Sequence, residues 1–266
     1  MDISLEKILY MTSWPMTEPK AYGAFHLCFM LLGFAVCAFA AWKLRNLGER
    51  GSRVLLVSCG VFLVLSEIYK QLFYYYCIGD TGYDWDILPF QMCSIPMYFC
   101  LIAPFLGDCR LRRSMYSFMG FFNLLGGGIS FFEPSGLLHS YWTLTLHSCL
   151  WHMMLVFIGL YLCFSGRAGF TIGSYKSGAK MFLALCVAAF CINLLLRNIS
   201  GGEVNMFFIG PSNNPIIVFS AIAEIVGWYA ATAVYIPAVC LGAYMIFSAQ
   251  SFLHKRRLKE LQLSDV

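Results

Sequence analysis

The sequence predicts an all-α, polytopic transmembrane helix bundle of about seven spans, with its N-terminus outside and its C-terminus cytoplasmic. Three observations carry that expectation. Hydrophobic residues make up 59% of the 266 and charged residues 12%, roughly half the charged share of a soluble domain, and mean hydropathy is +0.70. Apolar segments able to cross roughly 30 Å of hydrocarbon recur at approximately 21–42, 54–77, 89–107, 114–132, 141–164, 179–197 and 215–247. Fourteen of the eighteen basic residues fall in loops 43–53, 108–113 and 165–180 and in the tail from Lys255, which the positive-inside rule assigns to the cytoplasm. The +4 net charge reflects this distribution and is not a nucleic-acid signature. The chain reads as a single integral membrane domain over 1–266, multi-pass, in the cell membrane if bacterial. The amino terminus has no basic region followed by a small-residue cleavage site, so no signal peptide is expected.

Residues 1–20 hold a short apolar stretch ending at Trp14-Pro15, suited to the outer interface with Trp14 as anchor. His26 opens the first span. The second contains Glu67 and Lys70, three apart and so on one helical face, and ends in the aromatic belt Tyr74-Tyr75-Tyr76. An acidic cluster, Asp80, Asp84 and Asp86, precedes the third span. There Pro89 is expected in the first helical turn, Cys93 one turn further in, and Pro96 as a kink beside Cys93, because Pro96 cannot donate to the Met92 carbonyl. The fourth span carries Asn123, which needs a hydrogen-bond partner, and Gly126-Gly127-Gly128, which allow close packing of backbones or of an acyl chain. His147 and His152 in the fifth span lie about 140° apart around a helix, so they face different ways. The sixth contains Asn193 and is followed by the turn signals Gly201-Gly202 and Gly210-Pro211-Ser212-Asn213-Asn214-Pro215. The seventh carries Glu224, for which Lys70 is the expected partner, and Pro237.

Cys93 is the candidate nucleophile. Unpaired amides and the positive end of a helix dipole both favour a thiolate at a helix start. The twelve cysteines form no CxxC or Cys/His zinc pattern, so no metal site and no cofactor are expected, and most are buried small hydrophobes. A Cys77–Cys93 disulfide is the competing reading for that residue. Depth along the helices favours His147 as the base for Cys93.

The order of Phe25-His26-Leu27, Leu88-Pro89-Phe90-Gln91-Met92-Cys93-Ser94-Ile95, the Gly120-to-Pro134 segment, the histidines ending at His152, and Asn193 followed by Arg197 resembles the YwaF family of integral membrane proteins. That family is related to transmembrane protein 164, a phospholipid acyltransferase that uses a membrane cysteine. The resemblance implies a cysteine nucleophile at Cys93 and a histidine at His152, which therefore ranks ahead of His147. Gln91 departs from the pattern, standing where bacterial members carry a histidine. The implied function is acyl transfer between membrane phospholipids or lysophospholipids through a cysteine thioester. Gln91, Asn123, Glu67, Lys70 and Asn193 would be the residues on the substrate side. The alternative from another class is a transporter or small-molecule binder with a polar path through Glu67, Lys70, Glu224 and the histidines. Bis-histidine haem ligation by His26 with His147 or His152 is a third reading.

Overall fold

A computed structural model describes residues 5–79, 83–210 and 216–264. Asp80 of the acidic cluster and the turn signal over 211–215 lie outside them. Among the described residues the chain is helical, with one strand-like bridge between Pro15 and Tyr141. Ten α-helices follow in order: α1 Leu5–Met11, α2 Ala24–Leu44, α3 Glu49–Phe73, α4 Ile95–Ile102, α5 Arg110–Phe118, α6 Leu124–Ile129, α7 Trp142–Phe164, α8 Ile172–Leu196, α9 Ile217–Val226 and α10 Trp228–Ser264. Five stretches are long and apolar enough to cross a bilayer: Ala24–Leu44, Glu49–Ile78, Trp142–Phe164, Ile172–Leu196 and Trp228–Arg257. The shortest, with 21 residues, is about 31 Å long at 1.5 Å per residue.

The remaining expected spans are built differently. The third is no continuous helix from Pro89. Leu88 to Gln91 form a turn, Met92–Ser94 a 3-10 turn, and α4 begins only at Ile95, with Pro96 in its first turn. Pro96 therefore sits in the first turn of a helix, where proline is tolerated, and does not kink one. The fourth, α5 and α6 joined by a π turn at Met119–Asn123, runs through the middle of the bundle, and every residue from Ser114 to Asn123 is buried. Protein, not lipid, surrounds it, so its three arginines at the start and its Asn123 are compatible with its place. The seventh breaks at Gly227, whose φ of +83° is left-handed and favours glycine. The rings of Phe219 and Tyr235 are 5.0 Å apart, although sixteen residues of continuous helix would separate them by about 24 Å. Helices α9 and α10 are thus a hairpin.

Glycines set how closely the central helix is held. A Cβ at Gly159 of α7 would lie 2.6 Å from the Leu124 Cβ, and one at Gly178 of α8 would lie 3.0 Å from the Ser117 carbonyl carbon. The three consecutive glycines of α6 divide their roles. Gly127 faces the α7 backbone, its Cβ position 2.8 Å from the Leu155 Cβ, whereas a Cβ at Gly128 meets nothing within 4 Å. Three of the basic loops meet at one end of the bundle. Glu49 pairs with Arg112 and with Arg167 at 3.3 Å, and Arg167 Nη2 donates to the Leu47 carbonyl at 3.0 Å. At the other end Tyr22 Oη donates to the Phe132 carbonyl at 2.6 Å.

The segment after α8 does not stay outside as a solvated loop. Val204, Asn205, Met206, Phe207 and Ile209 are buried, and Asn193 pairs with both polar groups of Met206, donating to its carbonyl at 3.1 Å and accepting its amide at 2.7 Å. The segment plugs one end of the bundle. Phe207 and Phe208 hold positive φ values of 58° and 56°, a conformation that persists only where surrounding contacts enforce it.

The contrast between neighbouring glycines gives a test. Gly127→Leu should cost on the order of 1–3 kcal/mol by overpacking α6 against α7, lowering the unfolding temperature in detergent. Gly128→Ala should leave that temperature unchanged within a degree or so, since its Cβ has open space.

Candidate functional site

The turn that carries Cys93 has carbonyls the helix does not use. Pro96 has no amide to offer Met92, and the Met92 carbonyl instead accepts from Asn123 Nδ2 at 2.8 Å. Trp151 Nε1 donates to the Cys93 carbonyl at 3.2 Å. Gln91 is clamped to the plug, its Nε2 donating to the Asn205 carbonyl at 3.0 Å and its Oε1 accepting from the Phe207 amide at 2.9 Å. Three elements distant in sequence thus position one short turn.

Cys93 is partly exposed and lines a cavity of about 430 Å³, within the roughly 300–1,000 Å³ usual for small-molecule sites. The walls come from the Gln91–Cys93 turn, α6, the loop 130–137, His152 of α7, Phe208, and the facing sides of α9 and α10. They are mostly apolar. Tyr235, Val239 and Gly242 place one face of α10 along the cavity, and Gly126 leaves a bare backbone opposite, touched by the Met92 methyl. Glu133 is the charged side chain among the lining residues.

The structure brings His152 to the same cavity. Its Nδ1 lies 2.8 Å from the Ser148 carbonyl. A carbonyl only accepts, so Nδ1 carries the proton and Nε2 keeps the lone pair. His147 does not line the cavity. Its ring stacks on Trp151 at 5.7 Å, and its buried Nε2 has no protein partner among the described residues.

The other residues singled out in the sequence shape the surroundings. Lys70 pairs with Glu67 at 2.9 Å, and Gln71 donates both to Glu67 Oε1 and to the Ile87 carbonyl at 2.8 Å. This network ties α3 to the turn before Cys93. Glu224 is not the partner of Lys70: it lies exposed on α9, while Lys70 is taken by Glu67. Asn193 lies against the plug and does not line the cavity. His26 accepts the Tyr22 amide at 3.0 Å, stacks on Phe131, and does not line the cavity either. Cys77 and Cys93 are both free thiols.

A second cavity, about 420 Å³, opens over Gln71 and is acidic, lined by Asp84, Asp86 and Glu203. Burial first, and then Asp84 and Glu203, raise the pKa of Asp86 above the usual carboxylate range.

Sequence reasoning missed Trp151, the plug, and His139 with Ser148. The plug had a signal, since Val204-Asn205-Met206-Phe207-Phe208-Ile209 is too apolar for a solvated loop. His139, in the loop before α7, has no comparable signal. Its amide donates to Thr145 Oγ1 at 3.0 Å, its carbonyl accepts from the same hydroxyl at 3.1 Å, and its Nε2 bonds the Ser148 hydroxyl at 3.1 Å. Ser148 therefore meets His139 with its hydroxyl and His152 with its carbonyl.

Helices of bilayer length around a buried, segmented central helix, with a thiol and an imidazole on one apolar cavity, define a multi-pass integral membrane protein. The chain belongs to the TMEM164 family, whose match covers residues 21–247. Neither among curated proteins nor among solved structures does a significant match appear.

The loop before α7 gives a pH test. Burial lowers the His139 pKa, against a smaller opposing effect of Glu18. A histidine with a lowered folded pKa makes its full contribution to stability above the ordinary value near 6.5, and that contribution is lost as pH falls toward the folded value. Unfolding temperature should fall on acidification from about pH 8 to about pH 5. His139→Gln, which keeps a partner for Ser148, should flatten that dependence.

Proposed function

We propose that this protein moves an acyl chain between membrane phospholipids through a thioester on Cys93, with His152 as the base. The observation that carries the reading is the shared cavity: a partly exposed thiol and an imidazole with a defined basic nitrogen line one apolar chamber. Membership of the TMEM164 family is consistent with it.

In this reading the acyl ester of a phospholipid lies in the cavity. His152 Nε2 takes the Cys93 proton and the thiolate attacks the ester carbonyl, giving a tetrahedral oxyanion. Backbone amides at the start of the Met92–Ser94 turn, with the Gln91 amide hydrogen not used by Asn205, would stabilise that charge. Collapse breaks the ester C–O bond and forms the thioester. The leaving lysophospholipid oxygen takes the proton from His152. A second lysophospholipid then gives its hydroxyl proton to His152, attacks the thioester carbonyl and leaves as the new phospholipid, and the thiol is restored. Water in place of that acceptor would release a fatty acid. Asn123 and Trp151 hold the turn, while Glu67 and Lys70 set the field around it. Asn193 acts at a distance, through the plug that Gln91 grips.

The test is acyl exchange by the full chain in phospholipid vesicles supplied with a labelled donor and a lysophospholipid acceptor. Cys93→Ala should abolish exchange at unchanged expression. His152→Gln should lower it by about 10²–10⁴-fold, the usual contribution of a positioned general base, and His147→Gln by less than about tenfold. Intact-mass analysis should show an acyl adduct that hydroxylamine removes. Exchange that survives Cys93→Ala would overturn the mechanism.

A further inference from the structure

The cavity is enclosed by helices of unequal attachment. Its α6 wall is anchored to α7 through the backbone contact at Gly127, and its Cys93 turn is held by Asn123, Trp151 and Gln91. The α9 wall is held differently, by apolar packing of Ile216 and Phe219 against the core. No residue of α9 is buried, and its packing partner is α10, to which it is joined through Gly227 at φ +83°. A Cβ at Gly227 would meet nothing within 4 Å, so the joint stands in open space. The contact that closes α9 over the cavity is the edge-to-face pair of Phe219 and Tyr235, at 5.0 Å and 85°, and both residues line the chamber.

We propose that α9 is a lateral gate, swinging about Gly227 to admit the acyl chain of a membrane lipid from the bilayer to Cys93, with the Phe219–Tyr235 pair as its latch. The energetics allow the motion. The backbone hydrogen bonds of α9 lie within the helix, so displacement leaves none unpaired in hydrocarbon. Lipid tails replace the apolar contacts that α9 leaves on α10, because no hydrophobic force favours helix over lipid in a bilayer. Opening breaks the aromatic pair, for which lipid tails offer no equivalent ring contact. A lipid already has its acyl chains at this depth, and a side opening receives them without drawing them through water. The identity of the passenger rests on the acyl-transfer reading; the motion does not.

Access to Cys93 tests the gate without requiring catalysis. The full chain in phosphatidylcholine vesicles would be treated with a long-chain alkyl maleimide or a membrane-impermeant, water-soluble one, and labelling of Cys93 followed by peptide mass spectrometry. Phe219→Ala and Tyr235→Ala should each speed alkyl-maleimide labelling by about two- to tenfold, the change in open population expected on losing one aromatic pair. The double variant should show no further gain, since either change removes the same latch. Ile225→Ala, on the same helix at 84% exposure, should leave the rate unchanged, and labelling by the water-soluble reagent should not rise in any variant. Unchanged alkyl labelling in both latch variants overturns the gate, as does an equal rise with both reagents, which would mean general loosening. Loss of exchange in Cys93→Ala with unchanged gating in the latch variants would leave the enzyme reading intact and sink the gate alone.

Discussion

A backbone carbonyl surrounded by hydrocarbon must find a donor, and the Cys93 turn depends on how that requirement is met. An uncompensated group of this kind costs several kcal/mol. Pro96 withholds the donor that would ordinarily satisfy Met92, so Asn123 must lie within reach of it. Trp151 supplies the donor for Cys93 itself. These two bonds tie the turn to the central helix and to α7, and α7 also carries His152. The alignment of thiol and imidazole on one cavity follows from satisfying the backbone.

The central helix makes this arrangement stiff. Buried from Ser114 to Asn123, it is approached by Gly159 and Gly178 closely enough that a side chain at either would collide with it. In a bilayer such close contact supplies what hydrophobic burial supplies in water, since lipid and leucine are equally apolar. The π turn ends at Asn123, and π turns in helices recur at functional sites. Outside this rigid frame the plugged end is held by polar clamps, with Asn193 and Gln91 gripping either side of Met206 and Phe207. Two consecutive phenylalanines in left-handed conformations are held in place by that grip. The hydrogen-bonded turn around Cys93 and the exposed helix α9 are contrasting walls of one chamber.

Charge is used sparingly and locally. Glu67 and Lys70 neutralise one another beneath the Cys93 turn and are joined to it through the Ile87 carbonyl. At the opposite end Glu49 gathers Arg112 and Arg167, joining three loops whose basic residues the sequence places on one side. The polar residues inside the bundle thus act as connections between helices, and Glu224, outside it, is not among them.

Composition and charge alternation determined the helical membrane class, because hydrocarbon admits only long apolar segments and every second loop carries the basic residues, placing them on one side. Lengths alone placed α2, α3, α7 and α8 near their observed positions. Local reading failed at Pro89 and at the plug for one reason: hydropathy records that a segment is apolar but not whether lipid or protein surrounds it. At Gly227 it missed a left-handed glycine at which an apolar run folds back on itself. The segments 89–107 and 204–209 are apolar because other helices enclose them, which frees them from having to be continuous helices. Which of His147 and His152 faces the cavity was likewise beyond depth arguments. Rotation about α7 decides it, turning one ring onto Trp151 and the other to the cavity, and rotation is set by the packing of neighbours that only the folded chain brings together.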